Sequence, residues 1–181
     1  MRIILLRHGP DLRSDCGEST LSWQGREKVA QTARQLQELS LTKIDVAFFS
    51  SARRAAETLE VVAGYLNIDR SIPTPRLLPS ASPLEIDTLL NSSLVTKEDR
   101  VCLIVGHEPQ ISDRVLRWCG LPDNSERDPS VSPWTLSRGE CLILSASRSN
   151  GELQIDRRYI QFVGRNRSLP IQQQLKKAGV F

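Results

Sequence analysis

Two short runs, residues 3–6 (IILL) and 101–105 (VCLIV), are apolar at every position, and each is followed within three residues by a glycine and a histidine side by side. Both are too short for a buried helix, and both are rich in β-branched residues. A strand wetted on one face would alternate apolar with polar. An unbroken apolar run is the mark of a strand buried on both faces of a parallel sheet. The first run ends in Arg7-His8-Gly9-Pro10 and the second in Gly106-His107-Glu108-Pro109, so both histidines of the chain fall at carboxyl ends of strands, where ligands of open α/β sheets bind.

The segments between these runs read as covering helices and further strands. After a polar arm at 11–20, Ser22 is a hydroxyl cap, and Val29, Ala33, Leu36 and Leu39 follow at helical spacing, which predicts a helix over 23–39. Residues 45–51 (DVAFFSS) predict a strand, and 53–67 a helix with Arg54 in its first turn and Thr58 one turn on along the same side. The Pro-rich stretch 71–82 reads as a loop with a short edge strand at 76–78. Ser82-Pro83-Leu84-Glu85 reads as a capping box opening a helix to about Asn91, which makes Glu85 a cap. A helix from Ile111 to a stop at Gly120 follows the second histidine, then a polar loop at 121–133. Strands are expected at 134–137, 141–146 and 153–162, the last two joined by a turn at Ser149-Asn150-Gly151, with a short helix in the tail from Leu169.

Composition narrows the function. With 181 residues, 39% of them hydrophobic and 25% charged, the chain suits one domain, 1–181, with a sizeable core. No signal-peptide core and no membrane-length apolar run occurs, so a cytoplasmic protein without a membrane partner is expected. The four cysteines, Cys16, Cys102, Cys119 and Cys141, form no C-x-x-C pair, which argues against structural disulfides and a zinc site. The net charge of +3 collects late, at Arg157, Arg158, Arg165, Arg167, Lys176 and Lys177, without the aromatic interleaving of a nucleic-acid platform, so no nucleic-acid partner is expected.

Arg54 sits at the start of a helix that follows another strand of the same sheet, so Arg7, His8, Arg54 and His107 can converge on one cavity. Two guanidiniums and two imidazoles make a pocket for a doubly charged tetrahedral anion. A cation in a first helical turn opposes the helix dipole and itself implies an anion nearby. Arg-His-Gly near the start, Ser50-x-x-x-Arg54-Ala55-x-x-Thr58, and Gly106-His107 after an apolar strand resemble, in order, the motifs of the histidine phosphatase (phosphoglycerate-mutase-like) superfamily. Leu21-Ser22-x-x-Gly25 resembles that family's helix start between the first two motifs. The resemblance implies a three-layer α/β/α sandwich with a mostly parallel sheet. It also implies that His8 takes the phosphoryl group while Arg7, Arg54 and His107 hold its oxygens. The gap from Arg54 to His107, Leu78-Pro79-x-x-x-Pro83 and Gly-His-Glu-Pro are most similar to small SixA-type phosphohistidine phosphatases.

Two departures from the family pattern matter. Pro10 replaces the acidic or small residue common after the first motif, and residues 77–81 (LLPSA) hold no acid where mutases and many ester phosphatases carry a proton-donating glutamate. The expected enzyme is a metal-independent phosphatase without cofactor, acting on a phosphoprotein, notably phosphohistidine, or on a small phosphorylated metabolite. Gly9 would let substrate approach the backbone, and Asp11 and Glu108 would face the substrate. Two alternatives stand beside it. One is a small-molecule phosphoester phosphatase with Asp11, Glu18, Glu85 or Glu108 as the acid; the other is a phosphate-binding module without turnover. The two arginines are expected to lower the His8 pKa below about 6.5, and its second ring nitrogen to need a backbone carbonyl.

Overall fold

The computed structural model describes residues 1–12, 18–121, 134–149 and 152–164. Cys16, the turn at Asn150-Gly151, most of the polar loop at 121–133 and the tail from Leu169 lie outside them. The expected strand at 3–6 is β1 (Arg2–Arg7), followed by β2 (Asp11–Leu12) and β3 (Thr20–Leu21), which pair with each other, and by α1 (Trp23–Glu38). Next come β4 (Lys43–Ile44), β5 (Val46–Ser50), α2 (Arg53–Ala63), β6 (Asn67–Ile68) and β7 (Ser71–Thr74). The chain continues with α3 (Glu85–Leu90), β8 (Val101–Gly106), α4 (Gln110–Trp118), β9 (Cys141–Ser149) and β10 (Glu152–Val163).

Six strands form one sheet in the order β10-β9-β1-β8-β5-β7, parallel from β1 through β7 and antiparallel at β9 and β10. The unbroken apolar runs have the expected cause. Ile3 and Leu5 of β1 join Ile86, Leu90, Ile111 and Leu116 on one face, while Ile4 and Leu6 join Val29, Leu36, Leu59 and Val62 on the other. The helices therefore cover both faces, α3 and α4 on one and α1 and α2 on the other, in a three-layer α/β/α sandwich. Cys102, Cys119 and Cys141 are buried, free thiols within these layers.

Four local expectations change. The edge strand lies at 71–74 rather than 76–78, because Pro75 opens a 3-10 turn (Pro75–Leu77) in which Thr74 Oγ1 accepts from Arg76 N; an edge strand tolerates Pro73. Helix α2 stops at Ala63, with Gly64 as its cap, and the chain turns into β6, which pairs with β4. Glu85 does not reach back to Ser82; its carboxylate binds the Arg76 guanidinium, and Ser82 Oγ accepts only from Leu84 N. Residues 135–137 are not a strand, because the N–H and C=O of Leu136 bind the side chains of Glu108 and Arg7 instead of a neighbouring strand.

Glycine is required where α1 meets the end of β1. Ser22 N and Oγ both donate to Pro10 O, and Ser22 Oγ accepts from Gly25 N as the expected cap. A Cβ on Gly25 would stand 2.0 Å from Pro10 O, a backbone atom that cannot swing aside. Gly25→Ala is therefore expected to destabilise the fold by at least about 1–3 kcal/mol, the range of overpacked sites. Gly64→Ala, at a right-handed helical cap with φ −71° and Val61 O at 3.3 Å, should change stability by under about 1 kcal/mol. Urea midpoints of the two variants test this pair.

Candidate active site

Parallel register brings the two histidines together. Arg7 of β1 lies opposite Gly106 of β8, so one residue further His8 and His107 leave the sheet side by side, with ring centroids 4.9 Å apart. His8 N donates to Gly106 O at 3.0 Å, which holds the two strand ends level. Helix α2 starts at the same edge, after β5, and carries Arg54 to both rings.

The hydrogen bonds fix the tautomers. His8 Nδ1 lies 2.8 Å from Gly9 O; a carbonyl only accepts, so Nδ1 carries the proton and Nε2 the lone pair. Arg54 Nε donates to that lone pair at 3.3 Å. His107 Nδ1 lies 3.3 Å from Arg54 Nη2, which only donates, so the His107 proton is on Nε2 and is given to Ser50 Oγ at 2.9 Å. One guanidinium thus bridges the lone pairs of two neutral imidazoles. Burial first, with the Arg54 and Arg7 charges adding, lowers the His8 pKa from 6.5 to about 4, the Gly9 bond opposing. Burial, then His8 and the same arginines, lowers that of His107 to about 3. The expected direction holds, but desolvation rather than the arginines is its main cause.

Arg7 is anchored through Nη1 to Leu136 O at 2.7 Å, while its buried Nε has no hydrogen-bond partner among the described residues. Burial pulls its pKa down from the ordinary guanidinium value, Glu108 opposing. Packing is enough to account for glycine at position 9. A Cβ there would meet Val29 Cγ2 at 2.7 Å and Leu21 Cδ1 at 2.8 Å, and its N–H goes to Thr58 Oγ1 at 3.1 Å, so this glycine serves packing against α1. Glu108 is likewise withdrawn: Oε1 accepts from Leu136 N and Oε2 from Ser112 N, and burial raises its pKa. Asp11 does reach the site. Its carboxylate lies 4.0 Å from Arg54 Nε and 2.7 Å from Arg138 Nη1, which puts an acid among the pocket's cations.

Arg138 was not legible in the sequence, where it is one of many arginines in the basic second half. Its neighbour Gly139, at φ +78°, donates through N–H to the carbonyls of Arg7 and His8, which seats this loop on the first motif. Gln110 was missed too; buried at the start of α4, it donates to Arg76 O and Ser82 O and ties down the loop that lacks an acid.

Residues 3–77 match the family model described as the histidine phosphatase superfamily (branch 1). Over these residues the chain is similar to that superfamily. Among solved structures, the protein histidine phosphatase SixA complexed with tungstate is 19% identical, with a TM-score of 0.71 over 89% of this chain and 96% of that one. The alpha-ribazole phosphatase from Shigella flexneri is 16% identical (TM-score 0.59, 86% and 95% covered). A mycobacterial glucosyl-3-phosphoglycerate phosphatase is 16% identical (TM-score 0.60, 86% and 96% covered). No curated protein sequence matches the chain. At these identities the structures share this chain's fold. Among the described residues no helix is long and apolar enough to cross a membrane.

Only two histidines are present, so their Hε1 resonances report the site directly. Both should keep neutral-imidazole shifts from about pH 8 down to about pH 5. Below pH 6.5 the unfolded chain binds protons at both rings that the folded chain refuses, so urea midpoints should fall as pH drops from 6.5 towards about 4. Saturating vanadate should raise the His107 titration, because Nδ1 can donate to an anion's oxygen only when protonated.

Proposed function

We propose that this protein is a metal-independent phosphatase in which His8 is the nucleophile and Arg7, Arg54 and His107 hold the phosphoryl oxygens. The observation that carries this reading is the neutral His8 ring, with its Nδ1 proton tied to Gly9 O and its Nε2 lone pair turned to the Arg54 guanidinium. Nε2 attacks phosphorus in line, the bond to the leaving group breaks with its electron pair going to that group, and a phosphohistidine forms. Water then attacks phosphorus, and the P–Nε2 pair returns to the ring. Arg54 shifts from imidazole lone pairs to phosphoryl oxygens, where a preorganised cation counts most. The orphaned Nε–H of Arg7 offers a further donor.

His8→Ala should abolish turnover with the fold intact, and Arg54→Ala should lower kcat/KM at least about a hundredfold. Acid-labile labelled phosphate should be trapped on wild type and not on His8→Ala. Chelators should leave the rate unchanged. Activity surviving in His8→Ala, or an enzyme that binds vanadate but neither turns over nor labels, would replace this reading with another nucleophile or with a binding module.

For the substrate we propose phosphohistidine, the activity named for the SixA structure. No acid occupies residues 77–81, Glu85 is paired with Arg76, and Glu108 is tied to backbone N–H groups. A departing alkoxide wants a proton from a positioned acid, help worth about two to four powers of ten. An imidazole leaving group can be protonated before the P–N bond breaks. Phosphohistidine and nitrophenyl phosphate should therefore be cleaved at least about a hundredfold faster than alkyl phosphates. The second reading, a small-molecule phosphoester phosphatase like those named for the Shigella and mycobacterial structures, predicts a flat dependence of rate on leaving-group basicity.

A further inference from the structure

We infer that Asp11 is the base for the second half-reaction and that Arg138 is the residue that positions it; the inference rests on the His8 reading above. The Asp11 side chain is only 8% exposed, covered by the half-exposed Arg138, whose Nη1 lies 2.7 Å from Oδ1. Among the described residues Oδ1 nevertheless accepts no hydrogen bond, because the contact has the distance of an ion pair without a hydrogen bond's angles. Its lone pairs stay available. Oδ2 lies 4.0 Å from Arg54 Nε, the atom that also donates to His8 Nε2, so the carboxylate borders the place where phosphorus sits on the nucleophile. Its charge is also close enough to favour the protonated forms of His8 and His107 and the charged form of Arg7.

A carboxylate oxygen can accept a proton, and the second step is the one in which a water must give one up. Water attacks the phosphorus of phospho-His8, Asp11 accepts the water's proton, the P–Nε2 bond breaks, and its electron pair stays on Nε2. The proton passes from Asp11 to solvent before the next turnover. Arg138 acts through Asp11: it pins one oxygen and offsets the charge repulsion between the carboxylate and the phosphoryl oxygens. Glu108 is excluded from this role by its two backbone N–H partners.

The test is rapid-quench kinetics with nitrophenyl phosphate, whose leaving group needs no acid, on wild type, Asp11→Asn, Arg138→Gln and Arg138→Lys. Asp11→Asn should keep the nitrophenolate burst within about threefold of wild type, lose about two to four powers of ten in kcat, and accumulate phosphohistidine. Arg138→Gln, a change at a half-exposed side chain, should accumulate it to a lesser extent, with Arg138→Lys partly restoring kcat. A burst slowed in parallel with kcat in Asp11→Asn, without accumulation, would make Asp11 a structural or first-step residue and overturn the inference. So would unchanged turnover in Arg138→Gln, which keeps the idea falsifiable if Asp11→Asn does not fold. A wild-type enzyme that turns over without any labelled His8 would overturn the nucleophile itself, an outcome distinct from failure of the Asp11 role alone.

Discussion

The parallel pairing of β1 with β8 is the constraint from which the site follows. Because Arg7 stands opposite Gly106, the two strands end level, and the next residue on each is a histidine. A slip of one residue would turn every side chain of β1 to the other face and expel Ile3 and Leu5 from one core and Ile4 and Leu6 from the other. Each of these aliphatic side chains is worth about 1.5–3 kcal/mol when fully buried. The register, and with it the spacing of the two imidazoles, is therefore held by the cores on both sides of the sheet rather than by contacts within the pocket. The site can afford rings that are electrostatically strained because its frame is fixed elsewhere.

Within that frame, cations are crowded. Arg7 is partly desolvated, Arg54 touches two neutral rings, and Arg138 adds a third guanidinium. Asp11 and the buried Glu108 offset this charge, and the carbonyl of Leu136 takes one Arg7 donor. The imidazoles contribute by staying uncharged. Such a pocket favours a dianion, since the incoming charge relieves repulsion already present.

Much of this was legible because the strands and helices write strong periodic signals. The runs 3–6 and 101–105 and the Ser22 cap led to a parallel sheet with covering helices and to four converging side chains, while the three-layer sandwich came from the resemblance. What the sequence hid was side-chain geometry across long separations. Asp11 and Arg138 meet across more than a hundred residues, and nothing local marks Arg138. The packing of Gly9 and the backbone partners of Glu108 were hidden for the same reason. Their neighbours in sequence suggested substrate contact, but Gly9 faces Val29 and Leu21, and Glu108 closes onto Leu136 and Ser112. At 134–137 a strand was expected because side-chain capture of Leu136 leaves no trace in the sequence.

Helix α2 is fastened at two adjacent residues. Glu57 accepts from Leu21 N at 2.6 Å, and Thr58 accepts from Gly9 N while donating to Arg54 O. Neighbouring residues on a helix point about 100° apart, so the two ties run in different directions and resist both rotation and sliding of α2. In the proposed reaction, Arg54 would consequently pass from imidazole nitrogen to phosphoryl oxygen by turning its own side-chain torsions, with its backbone stationary. Turning one side chain is a smaller and faster motion than shifting a helix, which takes microseconds or longer. The cradle's rearrangement is thus decoupled in time from any motion of the elements that carry it.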